Sequence, residues 1–339
     1  MTDASNGPLR PAEILAVVVN WNGWQDTLEC IRSLCAMTEP RLAVLVCDNG
    51  SSDGSIEHLV QALRADGGAV DAAAPGDVQG QVMRLGRCAQ KGGGAPQDLY
   101  LMPIPSNLGY AGALNKGIEW GRQQLHARGF WLLNNDVKVE PDALAHLVAA
   151  TQRYPDMGLC GSVLLEWEEP LRVQAIAGVF RKYLAVGWHT KAVPAGAQAQ
   201  SVLFDIDYPV GASLYVTEEY LQRVGPMDDG YFLYYEELDW CERGRAQGFR
   251  PAVALQSRVR HKEGASTGST GGVRRKSMLS EYYGVLNRLR YTRKFSPHLL
   301  PVVWLSLLLL VADRVIHGEW ARAGLVMKLM LHPRSVARP

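Results

Sequence analysis

The chain has almost no net charge, no paired-cysteine motif and no phosphate-cradling loop, and each absence excludes something. Thirty-five Lys and Arg stand against 34 Asp and Glu, leaving +1 at pH 7. Bulk electrostatics therefore give no reason to expect nucleic acid as a partner. The six cysteines (Cys30, Cys35, Cys47, Cys88, Cys160, Cys241) form no CxxC pair and no Cys/His metal pattern. Cys30, Cys47 and Cys241 lie in apolar or helical runs and read as buried thiols in a reducing cytosol. Neither the dinucleotide GxGxxG pattern nor GxxxxGK[ST] occurs. No signal peptide is visible, because residues 1–12 are polar and the apolar stretch Ile14–Val19 is too short for an h-region. The expected location is the cytoplasm or the cytoplasmic membrane face.

What is present is core-forming material. With 339 residues and 47% hydrophobic content, the chain can hold one large α/β domain with an appendage. Ile14–Val19 and Leu42–Cys47 read as buried strands, each followed by a helix, at about 26–36 and 56–63. Strand, helix, strand, helix at this spacing predicts a parallel sheet with right-handed crossovers. Residues 65–98, rich in Gly, Ala and Pro, read as a flexible insertion with a short hairpin near 81–84. The alternation then resumes with strands at 99–102, 130–133 and 158–165 and helices at 111–126 and 141–151. Residues 166–202 read as irregular, 204–208 as a strand, 217–224 and 236–247 as helices and 251–255 as a strand. Residues 1–12 are expected to be disordered, 13–271 to form the main domain and 272–339 a helical extension.

That extension differs in character. Seven Lys or Arg and one Glu fall between Arg274 and Lys294, and Leu299–Ala312 is fourteen residues without charge. This is short of the roughly 20 residues needed to cross a bilayer. A basic helix beside an apolar one suits lying on an anionic membrane face, such as the inner membrane surface; a packed helical pair or a dimer contact reads equally from the sequence.

Four polar clusters fall where a parallel sheet would collect them at the carboxyl edge of its strands, the usual ligand edge of open α/β sheets. Asp48 ends a strand and can accept from a ribose or nucleobase. Asp53 can do likewise or cap the next helix. Asn107 to Gly117 precedes and opens a helix whose N-terminus favours anions. Its glycines permit close approach of a ligand or simply tight helix–sheet packing. Asn134-Asn135-Asp136 follows Phe130–Leu133, and a carboxylate there can hold a hard divalent cation against phosphate oxygens. Glu236, Glu237 and Asp239 follow the run Tyr231–Tyr235. Crowded like charges and apolar walls both raise a carboxylate's pKa, which suits a general base, while an acidic helix start is the plainer alternative. His261 sits among Arg258, Arg260 and Lys262 and is either structural or a second metal ligand.

Together these residues resemble a known pattern. Val-Val-Asn-Trp-Asn (18–22), Asp-Asn-Gly-Ser-Ser-Asp-Gly (48–54), Asn-Leu-Gly-Tyr-Ala-Gly-Ala-Leu-Asn-Lys-Gly (107–117) with Leu-Leu-Asn-Asn-Asp (132–136), and Tyr-Phe-Leu-Tyr-Tyr-Glu-Glu-Leu-Asp-Trp-Cys-Glu-Arg (231–243) occur in order. Over residues 13–268 the chain resembles inverting glycosyltransferases of family 2, of the rhamnosyltransferase type. The resemblance implies an α/β GT-A fold with a Rossmann-like, mostly parallel central sheet flanked by helices. It implies that Val19, Asn20, Trp21 and Asp48 hold nucleotide base and ribose, with Asp53, Asn107, Gly109, Asn115 and Asn135 lining the donor site. It implies Mg²⁺ or Mn²⁺ on Asp136, with His261 beside it. Glu237 takes the position where the family usually has Asp and becomes the base, with Glu236 and Asp239 as rivals. The implied partners are a dTDP- or UDP-sugar donor and a saccharide or lipid-linked saccharide acceptor of cell-surface polysaccharide synthesis. The 65–98 insertion is longer than the family's usual segment. Competing readings are a sugar-phosphate nucleotidyltransferase, which would carry a Gly-rich, Arg-containing first loop in place of Asn20-Trp21-Asn22-Gly23, and a catalytically silent membrane-bound scaffold.

Overall fold

The computed structural model describes residues 13–37, 42–65, 82–88, 97–194, 196, 201–204, 206–262 and 277–333. The N-terminal segment 1–12, most of the 65–98 insertion and the 263–276 segment after His261 lie outside the described residues.

The first half alternates as the hydrophobic runs require. β1 (Ile14–Asn20), α1 (Trp24–Cys35), β2 (Leu42–Asn49), α2 (Ser55–Ala65), β3 (Met83–Cys88), β4 (Gln97–Ile104), α3 (Gly109–Trp120) and β5 (Gly129–Asn134) follow in order. β1 and β2 are buried along their whole length, because helices cover both faces of the sheet. The second half adds β6 (Val137–Val139), α4 (Ala143–Arg153), β7 (Leu159–Glu166), β8 (Val173–Ala175), β9 (Ala177–Arg181), β10 (Val186–Thr190), β11 (Val202–Leu203), β12 (Ser213–Thr217), α5 (Glu218–Val224), α6 (Glu236–Ala246) and β13 (Ala252–His261).

The main sheet has the strand order β11-β13-β7-β12-β5-β1-β2-β4-β3, with β6 on β13 and β8 on β7. Its centre, β5-β1-β2-β4, is parallel, and so is the β7–β13 pair. β12 joins the two blocks by pairing antiparallel with both β5 and β7. A central sheet flanked by helices is therefore observed, as the alternation predicts.

Three local expectations change. The insertion contributes an edge strand, β3, antiparallel to β4, which takes in Met83 and Arg84 of the hairpin read near 81–84 and runs on to Cys88. Residues 166–202, read as irregular, contain β8 and the separate β9–β10 hairpin. Among the described residues of 204–208, read as a strand, Tyr208 makes an isolated bridge to Gly178, and the Asp207 carboxylate accepts from the Phe180 amide at 2.6 Å. Cys30, Cys47, Cys160 and Cys241 are buried free thiols, whereas Cys35 is disulfide-bonded.

Past the sheet, α7 (Met278–Phe295), α8 (Leu300–Ile316) and α9 (Trp320–Leu331) share an apolar core of their own. Leu289, Val303, Leu307, Val326 and Leu329 are its buried centre. This core extends to Phe232, Leu233 and Tyr234, in the turn that leads into α6. The fourteen uncharged residues read from the sequence lie within a longer helical segment: Pro297–Ile316 spans 20 residues, and an 18-residue window of it has a mean hydropathy of 2.1.

Candidate functional site

The carboxyl ends of β1, β2 and β5 meet in one hydrogen-bonded cluster. Parallel register sets Asn20 opposite Asp48. The Asn20 amide, wholly buried, donates to Asp48 Oδ1 at 2.8 Å and to Ser51 Oγ at 3.1 Å. The Ser51 amide donates to the other oxygen, Oδ2, at 3.2 Å. Asp48 is thus held fast, and each carboxylate oxygen keeps a free lone-pair direction. Asn135 donates to Gly23 O and Thr27 Oγ1, both at 3.1 Å, so it braces the β1–α1 loop. Val19, in β1, is buried, and Trp21, just past the end of that strand, is half-buried. Asp53 accepts from the Ser55 amide at 3.0 Å and from its hydroxyl, which is the helix-capping alternative for α2.

The second motif is fastened from the same edge. Asn49 donates to Asn107 Oδ1 and Gly109 O and accepts from the Leu108 amide. Gly109 has φ +76°, and a Cβ there would meet Phe232 O at 2.5 Å. Its glycine is required by backbone contact with the 231–235 turn. Asn115 is turned to the protein: its amide donates to Met227 O at 2.9 Å and accepts from Met227 N at 3.1 Å.

Asp136 follows β5, and His261 ends β13. The Lys262 amide donates to Asp136 O at 3.1 Å and joins the two segments. The Gln174 amide nitrogen donates to His261 O at 3.0 Å, which leaves its Oε1 to accept from His261 Nδ1–H at 2.8 Å. The remaining ring nitrogen, Nε2, faces Asp136 Oδ1 at 3.4 Å. That oxygen is buried and receives no hydrogen bond. In the neutral imidazole both atoms present lone pairs to the same space, the donor set of a divalent cation. Among the described residues no third His, Cys, Asp or Glu joins them. The donor set therefore fits a cation completed by phosphate and solvent oxygens.

The acidic cluster divides by partner. Asp239 is fully buried and ion-paired with Arg243 at 2.7 Å and Lys294 at 2.6 Å, and it also accepts from Tyr231 Oη at 3.0 Å. This corrects its reading as a rival base: its lone pairs are committed to two cations and a phenol. Glu236 is buried, with Oε2 unpartnered. Burial first, and the neighbouring Glu237 charge second, push its pKa well above the usual carboxylate range. Glu237 is half-buried, and burial pushes its pKa up to about 7. Its Oε1 lies where a Cβ on Gly211 would stand, so the missing side chain at 211 leaves room for this carboxylate.

Tyr110 joins the two ends. Its hydroxyl donates to Gly211 O at 2.6 Å. Its pKa is raised well above normal, first by burial and then by the charges of Glu237, Glu236 and Asp136. The next residue after Gly211, Ala212, accepts from the amide of Asn134, two residues before Asp136. The acidic pair and the Asp136–His261 pair therefore border one region.

The chain is similar to known glycosyltransferases. No protein-family model matches the chain. Over 255 residues (70% of this chain, 72% of the relative) it is 25% identical to an N-acetylglucosaminyl-diphospho-decaprenol L-rhamnosyltransferase of Mycobacterium tuberculosis. Over 152 residues (44% and 47%) it is 22% identical to the low-salt glycan biosynthesis hexosyltransferase Agl10 of Haloferax volcanii. Among solved structures, the mannosyltransferase PcManGT of Pyrobaculum calidifontis, in complex with GDP-Man and Mn²⁺, superposes with a TM-score of 0.52 at 13% identity, over 96% of this chain and 89% of that one. Residues 1–349 of S. aureus TarS superpose with a TM-score of 0.50 at 10% identity, over 86% and 69%. The chain is a glycosyltransferase. Its fold is GT-A.

Two parts of this glycosyltransferase's site escape the sequence. Gln174, which orients His261, lies in the stretch read as irregular and carries no motif of its own. Tyr110 is inside a quoted motif, but only the approach of Gly211, 101 positions away, shows what its hydroxyl touches.

Proposed function

We propose that this glycosyltransferase transfers a rhamnosyl group, with inversion, from a nucleoside-diphosphate sugar to a hydroxyl of a lipid-linked saccharide in cell-surface glycan synthesis. The carrying observation is a chain of contacts: Tyr110 Oη and Glu237 Oε1 both meet Gly211, and the adjoining Ala212 O accepts from the Asn134 amide, two residues before Asp136. A proton acceptor and an anion-binding end thus border the same region.

Glu237 is the general base. It is the more exposed of the two glutamates, and a carboxyl titrating at about 7 is matched to proton removal near neutral pH. It takes the acceptor hydroxyl's proton, the freed oxygen forms a bond to the anomeric carbon, and the bond to the diphosphate oxygen breaks with its electron pair. A single displacement with one base inverts the centre. Asp48, fixed by Asn20 and Ser51, accepts from ribose or base, with Trp21 as a further contact. Asp136 and His261 would hold Mg²⁺ or Mn²⁺, which when bound neutralises charge on the leaving diphosphate. The rhamnosyl assignment rests on the mycobacterial relative's name, and so does the diphospholipid acceptor.

The same proposal places α8 on the cytoplasmic membrane face. Val303 and Leu307 are buried against α7 and α9, whereas Leu305 (61%), Leu309 (66%) and Ile316 (79%) are exposed. By length and composition alone this segment can cross a membrane. Its inner face is taken by protein, so its outer apolar face suits the lipid interface that holds a lipid-linked acceptor.

A thermal-shift screen of nucleotide sugars with and without Mn²⁺ tests the donor, followed by a transfer assay with the stabilising sugar. Stabilisation by dTDP-rhamnose with Mn²⁺, and transfer to polyprenyl-diphosphate N-acetylglucosamine, is expected. Release of inorganic diphosphate in place of nucleoside diphosphate contradicts it.

A further inference from the structure

The turn that delivers the two glutamates is strained. Phe232, Tyr234 and Tyr235 have φ of +60°, +68° and +74°, and none is a glycine. Such residues persist only where their surroundings over-determine them. Tyr235 immediately precedes α6, so its dihedrals set the direction in which Glu236 and Glu237 leave the turn.

The surroundings come from two sides. From the GT-A sheet side, the Tyr110 amide donates to Phe232 O at 3.0 Å. From the helical unit, one side chain does most of the holding. Asn287 on α7 is fully buried, and its Nδ2 lies 2.7, 2.7 and 3.2 Å from the carbonyl oxygens of Tyr231, Leu233 and Tyr234. Lighter contacts accompany it: Tyr234 Oη to Ser280 Oγ at 3.2 Å, and Phe232 stacked on Tyr283 with centroids 4.8 Å apart.

We propose that Asn287 is a positioning residue for the general base, through which the C-terminal helical unit fixes the carboxylate pair. The inference rests on the reading of Glu237 as base. Glu237 leaves the turn in the first residues of α6, and its Oε1 packs against Gly211. Misplacing a reacting group by about 1 Å costs on the order of 100-fold in rate. Loosening the turn also lets water reach Glu237, whose raised pKa comes from burial.

The test is Asn287→Ala, assayed with dTDP-rhamnose and polyprenyl-diphosphate N-acetylglucosamine. The expected result is a fall in kcat on the order of 100-fold, with the donor KM little changed. The acid limb of the pH–kcat profile moves to lower pH than in the wild type. Tyr234→Phe, which removes only the hydroxyl bonded to Ser280, moves both quantities the same way by less and decides the matter if Asn287→Ala does not fold. Wild-type kcat and acid limb in a folded Asn287→Ala, or in Tyr234→Phe when the first variant fails to fold, overturn the proposal. So does activity lost only in proportion to the folded fraction. Glu237→Gln assayed alongside separates the failures: its full turnover removes the base assignment and the clamp with it, whereas its inactivity beside an unaffected Asn287→Ala removes the clamp alone.

Discussion

His261 Nε2 faces Asp136 Oδ1 across 3.4 Å, and Gln174 holds the ring so that this nitrogen points there. If a cation joins them, Asp136→Asn and His261→Ala each abolish the Mn²⁺-dependent part of donor-induced stabilisation. Gln174→Ala leaves both ligands in place and weakens Mn²⁺ affinity by roughly 10–100-fold, the usual effect of removing an orienting partner. Titration of Mn²⁺ against thermal stability at fixed dTDP-rhamnose measures all three.

Glu237→Gln keeps the side chain's size and loses its basicity. Transfer should fall by about 10²–10⁴-fold while donor affinity stays within a small factor. Asp239→Asn acts elsewhere. It strips Arg243 and Lys294 of their buried partner and should lower stability, read as a drop in Tm, before it changes chemistry.

Both glutamates hold their protons more tightly in the folded chain than the usual value of 4.5. The stability they contribute is fully present below that value and is lost as pH rises through about 7 for Glu237. Glu237→Gln removes this loss. Its Tm should exceed that of the wild type by a margin that grows between pH 5 and pH 8, roughly 2–4 °C per kcal/mol of recovered stability. Activity runs the opposite way, rising through about pH 7 as the base loses its proton. Paired melts and rates across that range show both trends.

Leu305 and Leu309 lie on the exposed face of α8. Leu305→Glu with Leu309→Glu should weaken binding to phosphatidylglycerol vesicles by at least about 100-fold, at about 1.5–3 kcal/mol for each leucine buried in lipid. Cosedimentation measures it, and transfer to a short-chain soluble acceptor should be unaffected.

The legible parts of the sequence were those where one segment carries its own signal. Ile14–Asn20 and Leu42–Asn49 are continuous apolar runs closed by polar residues, and they are the central parallel strands. Asp136 was marked by the Asn-Asn-Asp that ends such a run. The illegible parts depend on distant partners. Ser213–Thr217 has no long apolar run, yet it bridges the two halves of the sheet because β5 and β7 both pair with it. Asn115 sits in a motif that suggests a ligand but spends its amide on Met227. Asp239 looked like one of three equivalent acids until Lys294, 55 positions on, took its charge. Asn287 had no local feature to mark it, since its meaning lies in three carbonyls more than 50 residues earlier.

The most direct measurement is nucleoside diphosphate release from dTDP-rhamnose with a polyprenyl-diphosphate N-acetylglucosamine acceptor, in wild type and Glu237→Gln, each with Mn²⁺ and with chelator. The account predicts release coupled to rhamnosyl transfer in the wild type with Mn²⁺ alone. In the variant it predicts a loss of about 10²–10⁴-fold with Mn²⁺ present. Equal release by the variant, or release undiminished by the chelator, contradicts it.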